Sequence, residues 1–503
     1  MNQISKSFGD FFFDNVFLTP AVIEAGVVTP SDTFGFELWH SFATDKLLTG
    51  VNESGDNGVV LDGVTSGVIP GFTSVGYQVF LSQSRGGVIG YEAGFDFGAG
   101  GVHSFRFNAT MATIIAEGID WSTRPEMNVQ YLTEVIESFD GTEQRIALRD
   151  LPRVSLTYQY LLDGGALTEF DIKYGNFGGQ LLVPMWAHAS ELTHDVLLGD
   201  RIIYVDSVNG YVSSSKTLMI TDGVNSEFVG VESVASGAVV LTALVNRNFK
   251  LGARVVPVRT GYGSDGSSAT IQIDSLASHQ ITFELDETTF TKSVPVDAFE
   301  RYKGKHVIPF RPDRSNDISV QYQRLREHFD PTIGARSIYE RTPGVVRVFS
   351  HAFRFFSDDE RQSFENFAEL QNGAQGEFWM ESAAIAMEIA EDIYDETYKL
   401  KIKPVGYSRL ANSKSYPPAI IITLYNGTTL KRSLVSAKTV NALEELILDE
   451  PLSDIKVEDI ESINPLYLCR FDSDEFKYTF DTTQDSTITK TIRQLLHADA
   501  PEN

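Results

Sequence analysis

Val129-Gln130-Tyr131 opens the stretch that decides the fold, which runs to Trp186. A second stretch opens with Val320-Gln321-Tyr322, 320 − 129 = 191 residues later, and repeats the landmarks of the first in order. A register that holds over so many residues predicts that one module occurs twice in the chain. The other matched landmarks are Phe139-Asp140 with Phe329-Asp330, Arg149-Asp150-Leu151-Pro152 with Glu340-Arg341-Thr342-Pro343, and Gly179-Gln180-Leu181-Leu182 with Gly376-Glu377-Phe378-Trp379.

The composition favours a mainly β protein with several domains. The chain has 503 residues, of which 42% are hydrophobic, enough for more than one apolar core. It holds 40 Gly, 34 Phe and 19 Tyr, and aromatic residues are enriched in strands. We expect a mainly β fold with α+β modules: an N-terminal immunoglobulin-like β-sandwich, then the duplicated β-rich module, each copy with a small β insert. The predicted segments are an N-terminal arm (1–20), the sandwich (21–118), copy 1 (119–197), insert 1 (198–262), strands completing the first unit (263–307), copy 2 (308–395), and insert 2 with C-terminal strands (396–503).

Local signals place hairpins and helices within the two copies. Asp222-Gly223 and Asn426-Gly427 each lie between apolar runs, and such dipeptides accept the positive φ angles of a tight turn. Ser357 can cap a helix with Glu360 completing a capping box, and Gly373 would end that helix. The equivalent helix of the first copy is expected at about residues 166–174.

Charge and cysteine content exclude several classes of protein. The formal net charge is −27, so general affinity for a nucleic-acid backbone is disfavoured by repulsion. The single cysteine, Cys469, excludes an internal disulfide and any site with several thiolates. The N-terminal residues do not form a signal peptide, and no apolar run is long enough to span a membrane. We therefore expect folding in a reducing cytoplasm and no membrane span.

No residue pattern indicates catalysis. His188, Glu191 and His194, with Asp195 beside them, form the best metal candidate, but they lack the His-Glu-x-x-His spacing of zinc hydrolases and have no counterpart in the second copy. We interpret them as solvent-facing polar residues. A Gly-x-Ser-x-Gly turn is also absent. The prediction is a protein that is not an enzyme, with no catalytic residue, no cofactor and no metal.

Arginines and aromatic residues are the candidates for an assembly interface. Repeated arginines flank the proline turn of both copies, and arginine suits bidentate pairing with carboxylates across a subunit contact. The alternative is pairing within the chain or a solvated face. The apolar N-terminal arm is expected to dock on this chain or a neighbour, and Trp186 and Trp379 are expected to anchor packing. The predicted interface residues are Phe11, Phe12, Phe13, Arg145, Arg149, Arg153, Arg336, Arg341 and Arg347.

The chain resembles tail proteins of tailed bacteriophages, particularly distal tail and tail-tip (baseplate) components. The similarity lies in Glu137 to Arg153 followed by Tyr158-Gln159-Tyr160, and in Asp359 to Phe364 and Gly376 to Met380 of the second copy. Residues 21–118 are similar to the immunoglobulin-like domain that precedes such modules. The resemblance carries over no catalytic residue, because the role of these proteins is structural.

The resemblance implies a virion protein in a ring at the distal tail, assembled in the host bacterial cytoplasm. Its expected partners are further copies of this chain, as a trimer or hexamer ring, and other tail proteins such as the tail tube, tip hub and fibres. Genomic DNA would only pass through the lumen. Three chains with two modules each would present six similar modules. The alternative is a host-receptor or carbohydrate-binding tail protein that presents exposed aromatic residues such as Trp39 or Tyr91.

Overall fold

The computed structural model is mainly β, with a few helices, as the composition predicts. The chain divides into two compact units: unit 1 contains Met1–Pro125 and Ser155–Phe290, and unit 2 contains Glu126–Val154 and Thr291–Asn503. Within the described residues no helix is both long and apolar enough to cross a membrane. The structure describes residues 12–29, 32–55, 58–81, 87–176, 180–208, 210–273, 275–286, 294–295, 297–315, 317–341, 344–384, 387–410 and 419–496.

The N-terminal part of unit 1 contains two four-stranded sheets in the part of the chain described, in the orders β1-β3-β8-β6 and β2-β10-β9-β5. Their inner faces share one apolar core, in which the rings of Phe36 and Phe105 stack 3.8 Å apart. β4 and β7 form a separate pair. The strands are β1 (Val16–Thr19), β2 (Val22–Val28), β3 (Thr33–His40), β4 (Lys46–Leu48), β5 (Gly50–Gly55), β6 (Val59–Asp62), β7 (Gly67–Ile69), β8 (Ser74–Leu81), β9 (Gly87–Asp96) and β10 (Val102–Met111).

The rest of unit 1 is a second set of strands with one longer helix. Its elements are β11 (Thr113–Ile114), β15 (Arg153–Asp163), α1 (Gly164–Asn176), β16 (Leu181–Pro184), β17 (Ser190–Glu191), β18 (Ile202–Tyr204), α2 (Gly210–Ser214), β19 (Thr217–Thr221), β20 (Ser226–Ala235), β21 (Ala238–Leu241), β22 (Arg254–Gly263), β23 (Ser268–Ile273) and β24 (Leu276–Leu285). β24 pairs antiparallel with β15 along one edge and with β23 and β22 along the other. β22 also pairs with β16 and β19, and β11 pairs parallel with β16. β18 to β21 form the insert.

Unit 2 contains the strands that follow Thr291 and three strands from residues 126–154. Its elements are β12 (Glu126–Gln130), β13 (Thr133–Glu137), β14 (Glu143–Ala147), β25 (Arg301–Tyr302), β26 (Lys305–Val307), β27 (Ser319–Gln323), β28 (Arg326–Phe329), β29 (Ser337–Glu340), β30 (Val346–Phe355), α3 (Asp358–Gln371), β31 (Phe378–Glu381), β32 (Thr397–Ile402), α4 (Tyr407–Leu410), β33 (Ala419–Leu424), β34 (Thr429–Val440), β35 (Leu443–Leu452), β36 (Ile460–Phe471), β37 (Glu475–Phe480) and β38 (Ser486–Gln494).

The pairings in unit 2 centre on β38. β38 pairs antiparallel with β30 along one edge and with β37 and β36 along the other. β36 also pairs with β31 and β33, and β26 pairs parallel with β31. β32 to β35 form the insert, with its own apolar core.

The local sequence signals explain the helix and both hairpins. In α3 the backbone N–H of Glu360 donates to Ser357 Oγ at 3.2 Å, and the N–H of Phe356 donates to the Glu360 carboxylate at 2.9 Å. The helix ends at Asn372 and Gly373, both with positive φ, which is the left-handed conformation of a helix C-terminus. α1 spans Gly164–Asn176, which confirms the helix expected at about 166–174. β19–β20 and β33–β34 confirm the two hairpins, with φ of +90° at Gly223 and +85° at Gly427.

Candidate assembly interface

Residues 126–154 form a segment that we call the first arm, and they lie in unit 2 although the sequence placed them in copy 1. The segment contains β12 and the β13–β14 hairpin. β12 adds to the edge of β37, with Glu126 opposite Thr479 and Gln130 opposite Glu475. Met127 is fully buried on this strand. The first arm therefore extends the sheet of unit 2 by one strand, across more than 340 residues of sequence (475 − 130 = 345).

The hairpin of the first arm buries a carboxylate among arginines. Glu143 receives two hydrogen bonds from the guanidinium of Arg470, at 2.6 Å from Nε and 3.0 Å from Nη2. Arg145 Nη1 lies 3.3 Å and Arg493 Nε 3.4 Å from the same carboxylate. The Glu143 side chain is only 3% exposed, and those of Arg145 and Arg470 are 7% exposed. This bidentate geometry is the strong form of an Arg–carboxylate pair.

Arg145 connects the Glu143 cluster to a second acidic residue, Glu377. It forms an ion pair with Glu377, and its Nε donates to the backbone oxygen of Gln375 at 3.0 Å. Glu377 also pairs with Lys305 at 3.0 Å. Each acidic group of the cluster therefore faces at least two cations, so a buried negative charge is balanced on more than one side.

The charges in this cluster shift the pKa values of its carboxyl groups. Burial alone would raise the pKa of Glu143, but Arg470, with Arg145 and Arg493, lowers that pKa below its ordinary value. Burial likewise opposes ionisation of Glu377, and Lys305 and Arg145 bring its pKa below the ordinary value. Both carboxyl groups are therefore ionised at neutral pH, and the cluster acts as an electrostatic clamp on the hairpin.

Asp474 fixes the start of the same hairpin. Its carboxylate accepts hydrogen bonds from the backbone N–H and the hydroxyl of Thr133, at 2.5 and 3.0 Å, and from the N–H of Ala374 at 2.8 Å. The N–H of Tyr131 donates to the backbone oxygen of Asp474 at 3.0 Å. Gly373 lies so close that an added Cβ would meet the Asp474 carboxylate at 2.5 Å and the Tyr131 Cβ at 2.7 Å. Only glycine fits at this contact.

The two arginines of the proline turns contact the first arm within this chain. Arg149 Nη2 donates to the backbone oxygen of Tyr131 at 2.8 Å and so braces the base of the first arm. Arg341 donates to the backbone oxygens of Phe139 and Ser138 at 2.7 and 2.9 Å, and pairs with Glu137 at 3.2 Å. Pro343 lies outside the described residues. Intrachain pairing was the alternative that the sequence left open, and a role of these arginines between subunits stays a prediction.

The remaining predicted arginines differ in exposure. Arg347 donates to Gln494 Oε1 at 3.0 Å and lies over the ring of Tyr467. Arg336 forms an ion pair with Asp330 at 2.8 Å on an exposed hairpin. Arg153 is exposed. Arg336 and Arg153 are therefore accessible to a partner, whereas Arg347 is largely used within unit 2.

The predicted aromatic residues of the N-terminal region dock on unit 1. Phe12 packs 5.3 Å from the ring of Trp39, which in turn stacks on Phe17. Phe13 is exposed, and Phe11 lies outside the described residues. Tyr91 is buried and donates its hydroxyl to Glu53 at 2.9 Å, so the expectation that it is exposed is wrong. A strand alternates its faces, and Tyr91 lies on the core face of β9.

The two tryptophans predicted to anchor packing are buried. Trp186 lies in unit 1, and Trp379 donates its Nε1–H to the backbone oxygen of Tyr302 at 3.0 Å in unit 2. Cys469 is free and fully buried, and burial raises the pKa of its thiol. Trp186, Trp379 and Cys469 therefore belong to the interior of their own units.

The metal candidate of the sequence does not form a cluster. His188 is buried against the ring of Tyr211, so the interpretation of it as solvent-facing is wrong. Asp195 instead pairs with Lys250 at 2.7 Å, on the surface. Within the described ranges, no three His, Cys, Asp or Glu residues are placed to hold a metal ion.

Sequence reasoning missed the residues that hold the first arm. Glu143, Arg470 and Arg493 lie far apart in the chain, and no local pattern brings them together. The alternation of Glu143 and Arg145 on one face of a short strand is equally typical of a solvent-exposed edge, so the sequence held no signal for these partners.

Comparison with known proteins assigns no family. No family model matches the chain, and no curated protein matches it. Among solved structures, a chain from one described as "Chaperone-tip adhesin complex is vital for synergistic activation of CFA/I fimbriae biogenesis" is 6% identical to this one. The match covers 52% of this chain and 97% of that chain, with a TM-score of 0.17. A TM-score this low does not establish a shared fold.

Proposed function

We propose that the chain contains one module twice and that it is a structural protein of a bacteriophage tail. The duplication is supported by strand pairings that correspond one to one in the two units. β15–β24, β24–β22, β24–β23, β22–β16 and β11–β16 of unit 1 correspond to β30–β38, β38–β36, β38–β37, β36–β31 and β26–β31 of unit 2. Each first strand is followed by a helix, α1 or α3, and each unit has a four-stranded insert.

The observation that carries the functional proposal is the addition of β12 to the edge of β37. Strand addition joins modules through the backbone, so it needs no special side chain and repeats from one module to the next. Proteins that form rings around a tube need such head-to-tail contacts. The resemblance of residues 137–153 to phage tail proteins supports the same role. Two modules in each chain suit a ring of three chains with six modules.

The proposed position is the distal tail, as a ring that connects the tail tube to the tip or fibres. A formal charge of −27 disfavours adhesion to DNA, which suits a protein whose lumen DNA passes through. The two sheets at the N-terminal end of unit 1 support an immunoglobulin-like domain ahead of the modules. The receptor-binding alternative is weakened, because Tyr91 is buried and Trp39 is half-buried against Phe12 and Phe17.

The test of this function is the location of the chain in particles. Tailed particles should be purified from a culture that produces this chain, and peptide mass spectrometry and immunogold labelling applied to them. The proposal expects the chain in the particles, with label at the distal end of the tail. Absence of the chain from intact particles, or label along fibres only, would refute a structural role in the distal tail.

A further inference from the structure

We infer that residues 319–341 of one copy of this chain, which we call the second arm, add to strand β23 of another copy, with Arg336 facing Glu284 across the contact. The second arm contains β27 and the β28–β29 hairpin. The inference rests on the duplication proposed above and names the surfaces through which copies would join.

The two arms correspond in their construction. In the first arm the N–H of Leu148 donates to Leu132 O at 2.8 Å and closes the base of the hairpin. In the second arm the N–H of Arg341 donates to Leu325 O at 2.9 Å in the same place. Glu143 precedes its base residue by 148 − 143 = 5 residues, and Arg336 precedes its own by 341 − 336 = 5. Arg336 therefore occupies the position of Glu143.

The receiving edges correspond as well. β37 pairs with β38 on one side and accepts β12 on the other. β23 pairs with β24 in the same manner, and within the described residues no strand pairs with its second edge. All six residues of β23 are exposed, including the apolar Ile271 and Ile273. An exposed strand edge with apolar side chains is a template for another strand.

The second arm is equally exposed. β27 pairs with β30 along one edge. Every residue of β28 and β29 is exposed, including Phe329, Ile338 and Tyr339. Such a concentration of apolar side chains on a hairpin indicates a surface that a partner covers.

The charges beside β23 and on the second arm are complementary, which indicates that the partner of this surface is a second copy of the chain. Tyr262 lies opposite Glu284 in β22–β24, as Arg470 lies opposite Arg493 in β36–β38. Glu284 of unit 1 therefore corresponds to Arg493 of unit 2. Arg336 of the second arm corresponds to Glu143 of the first arm, which contacts Arg493. The pair Glu143–Arg493 of the intrachain junction becomes Arg336–Glu284 with the signs exchanged. Ile338 and Gln180, at the positions of Arg145 and Glu377, add no charge to the second junction.

The exchanged signs also set the order of modules. The first arm on the β23 edge would place Glu143 near Glu284, and the second arm on unit 2 would place Arg336 near Arg470 and Arg493. Both arrangements bring like charges together, which disfavours them. The β37 edge is already filled by the first arm of the same chain. Copies would therefore join head to tail, with the modules alternating.

The experiment uses the full-length chain and two independent readouts. In the first, a chain with Ala269→Cys is mixed with a chain carrying Val320→Cys under oxidising conditions. Because the proposed junction follows the antiparallel β12–β37 pair, the neighbouring combinations are Ser268→Cys with Gln321→Cys and Thr270→Cys with Ser319→Cys. Paired strands bring Cα atoms within disulfide range, and Cys469 is buried and does not compete. We expect a disulfide-linked dimer of the two different chains, and none when either cysteine is omitted.

The second readout is self-association, measured by analytical ultracentrifugation. Arg336→Glu or Glu284→Arg alone should weaken self-association by roughly tenfold or more, because each places like charges together. The double variant Arg336→Glu with Glu284→Arg should restore it. Arg106→Glu, which changes an exposed arginine elsewhere in unit 1, is the matched control and should have no effect.

The outcomes separate this inference from the proposed function. The inference would be overturned if oligomers form, no cross-link is found, and neither charge variant weakens self-association. That result would not contradict a role in the tail. A chain that stays monomeric at every concentration and gives no cross-link would overturn it too, and the labelling of tailed particles would then decide the function independently. Loss of association in the double variant, with no rescue, would contradict the Arg336–Glu284 pair.

Discussion

Glu143 and Arg470 lie 327 residues apart in the sequence and form a bidentate ion pair with distances of 2.6 and 3.0 Å. Neither side chain is more than 7% exposed. A buried pair of this kind contributes little net stability compared with apolar residues, but it is costly to break, since removal of one partner leaves a buried charge unpaired. Loss of either partner is therefore expected to destabilise the docked first arm.

Substitution of Glu143 by Gln should release the first arm. Arg470 and Arg145 would lose a shared buried carboxylate, and we expect unit 2 to lose about 3 kcal/mol of stability. Hydrogen exchange of residues 126–147 should accelerate more than exchange in β30 or β36. Asp330→Asn breaks an ion pair whose two side chains are more than half exposed, so it should cost less than about 0.5 kcal/mol. Unchanged exchange of β12 in the Glu143 variant would contradict the clamp.

Gly373 should not tolerate even alanine. Its φ is +69°, and the new Cβ would overlap Asp474 and Tyr131, so both the helix end and the first arm would have to move. We expect a loss of more than about 2 kcal/mol, measured by chemical denaturation. Gly427→Ala is the control, because its φ is +85° but no atom lies within 4 Å of the added Cβ. It should cost about 1 kcal/mol, and equal losses at the two positions would argue against the steric contact.

Local features of this fold could be predicted from the sequence, but the docking of the first arm on β37 could not. Ser357, Glu360 and Gly373 define a helix within seventeen residues, and Asp222-Gly223 defines a hairpin within fourteen (217–230), because the partners of each hydrogen bond are close in sequence. The partner of β12 is β37, which lies about 345 residues further along the chain (475 − 130 = 345), so no local pattern identifies it. The sequence indicated a repeated landmark but had no signal for which unit each strand joins. Pairing between distant strands depends on the packing of the whole unit.

The helix cap at Ser357 should have a measurable but smaller effect. Ser357→Ala removes the acceptor for the N–H of Glu360 and should destabilise unit 2 by about 1 kcal/mol. Ser357→Asp keeps an acceptor at the same place and should retain most of that stability. Thermal denaturation of the two variants measures the difference, and an equal loss in both would show that the cap oxygen is not what stabilises α3.

Lys490 should make the stability of unit 2 depend on pH in the alkaline range. Burial lowers the pKa of its ammonium from 10.5 to about 7, against the opposing charges of Asp474, Glu475 and Asp472. The unfolded chain therefore holds the proton up to about pH 10.5 and the folded chain only to about pH 7. Between those values the unfolded state binds more protons, so stability should rise with pH, by roughly 3–5 kcal/mol in total.

Urea denaturation at several pH values between about 7 and 10 measures this dependence. Lys490→Met should abolish the rise, whatever its effect on absolute stability. Lys477→Met, at a half-exposed lysine on the neighbouring strand β37, should leave the rise intact. A slope that survives in the Lys490 variant would assign it to another group.

The pairing of the first arm with β37 can form only late in translation. β12 is translated early, and the strand that completes its pairing, β37, follows about 345 residues later (475 − 130 = 345). At about 5–20 residues per second, the ribosome needs roughly 17–70 s to reach it. During that time β12 lacks the strand with which it pairs, and Glu143 has Arg145 nearby but neither Arg470 nor Arg493. The nascent chain therefore exposes an unpaired strand edge through most of its synthesis. Unpaired edges are prone to aggregate, so chaperone binding is most useful during this interval.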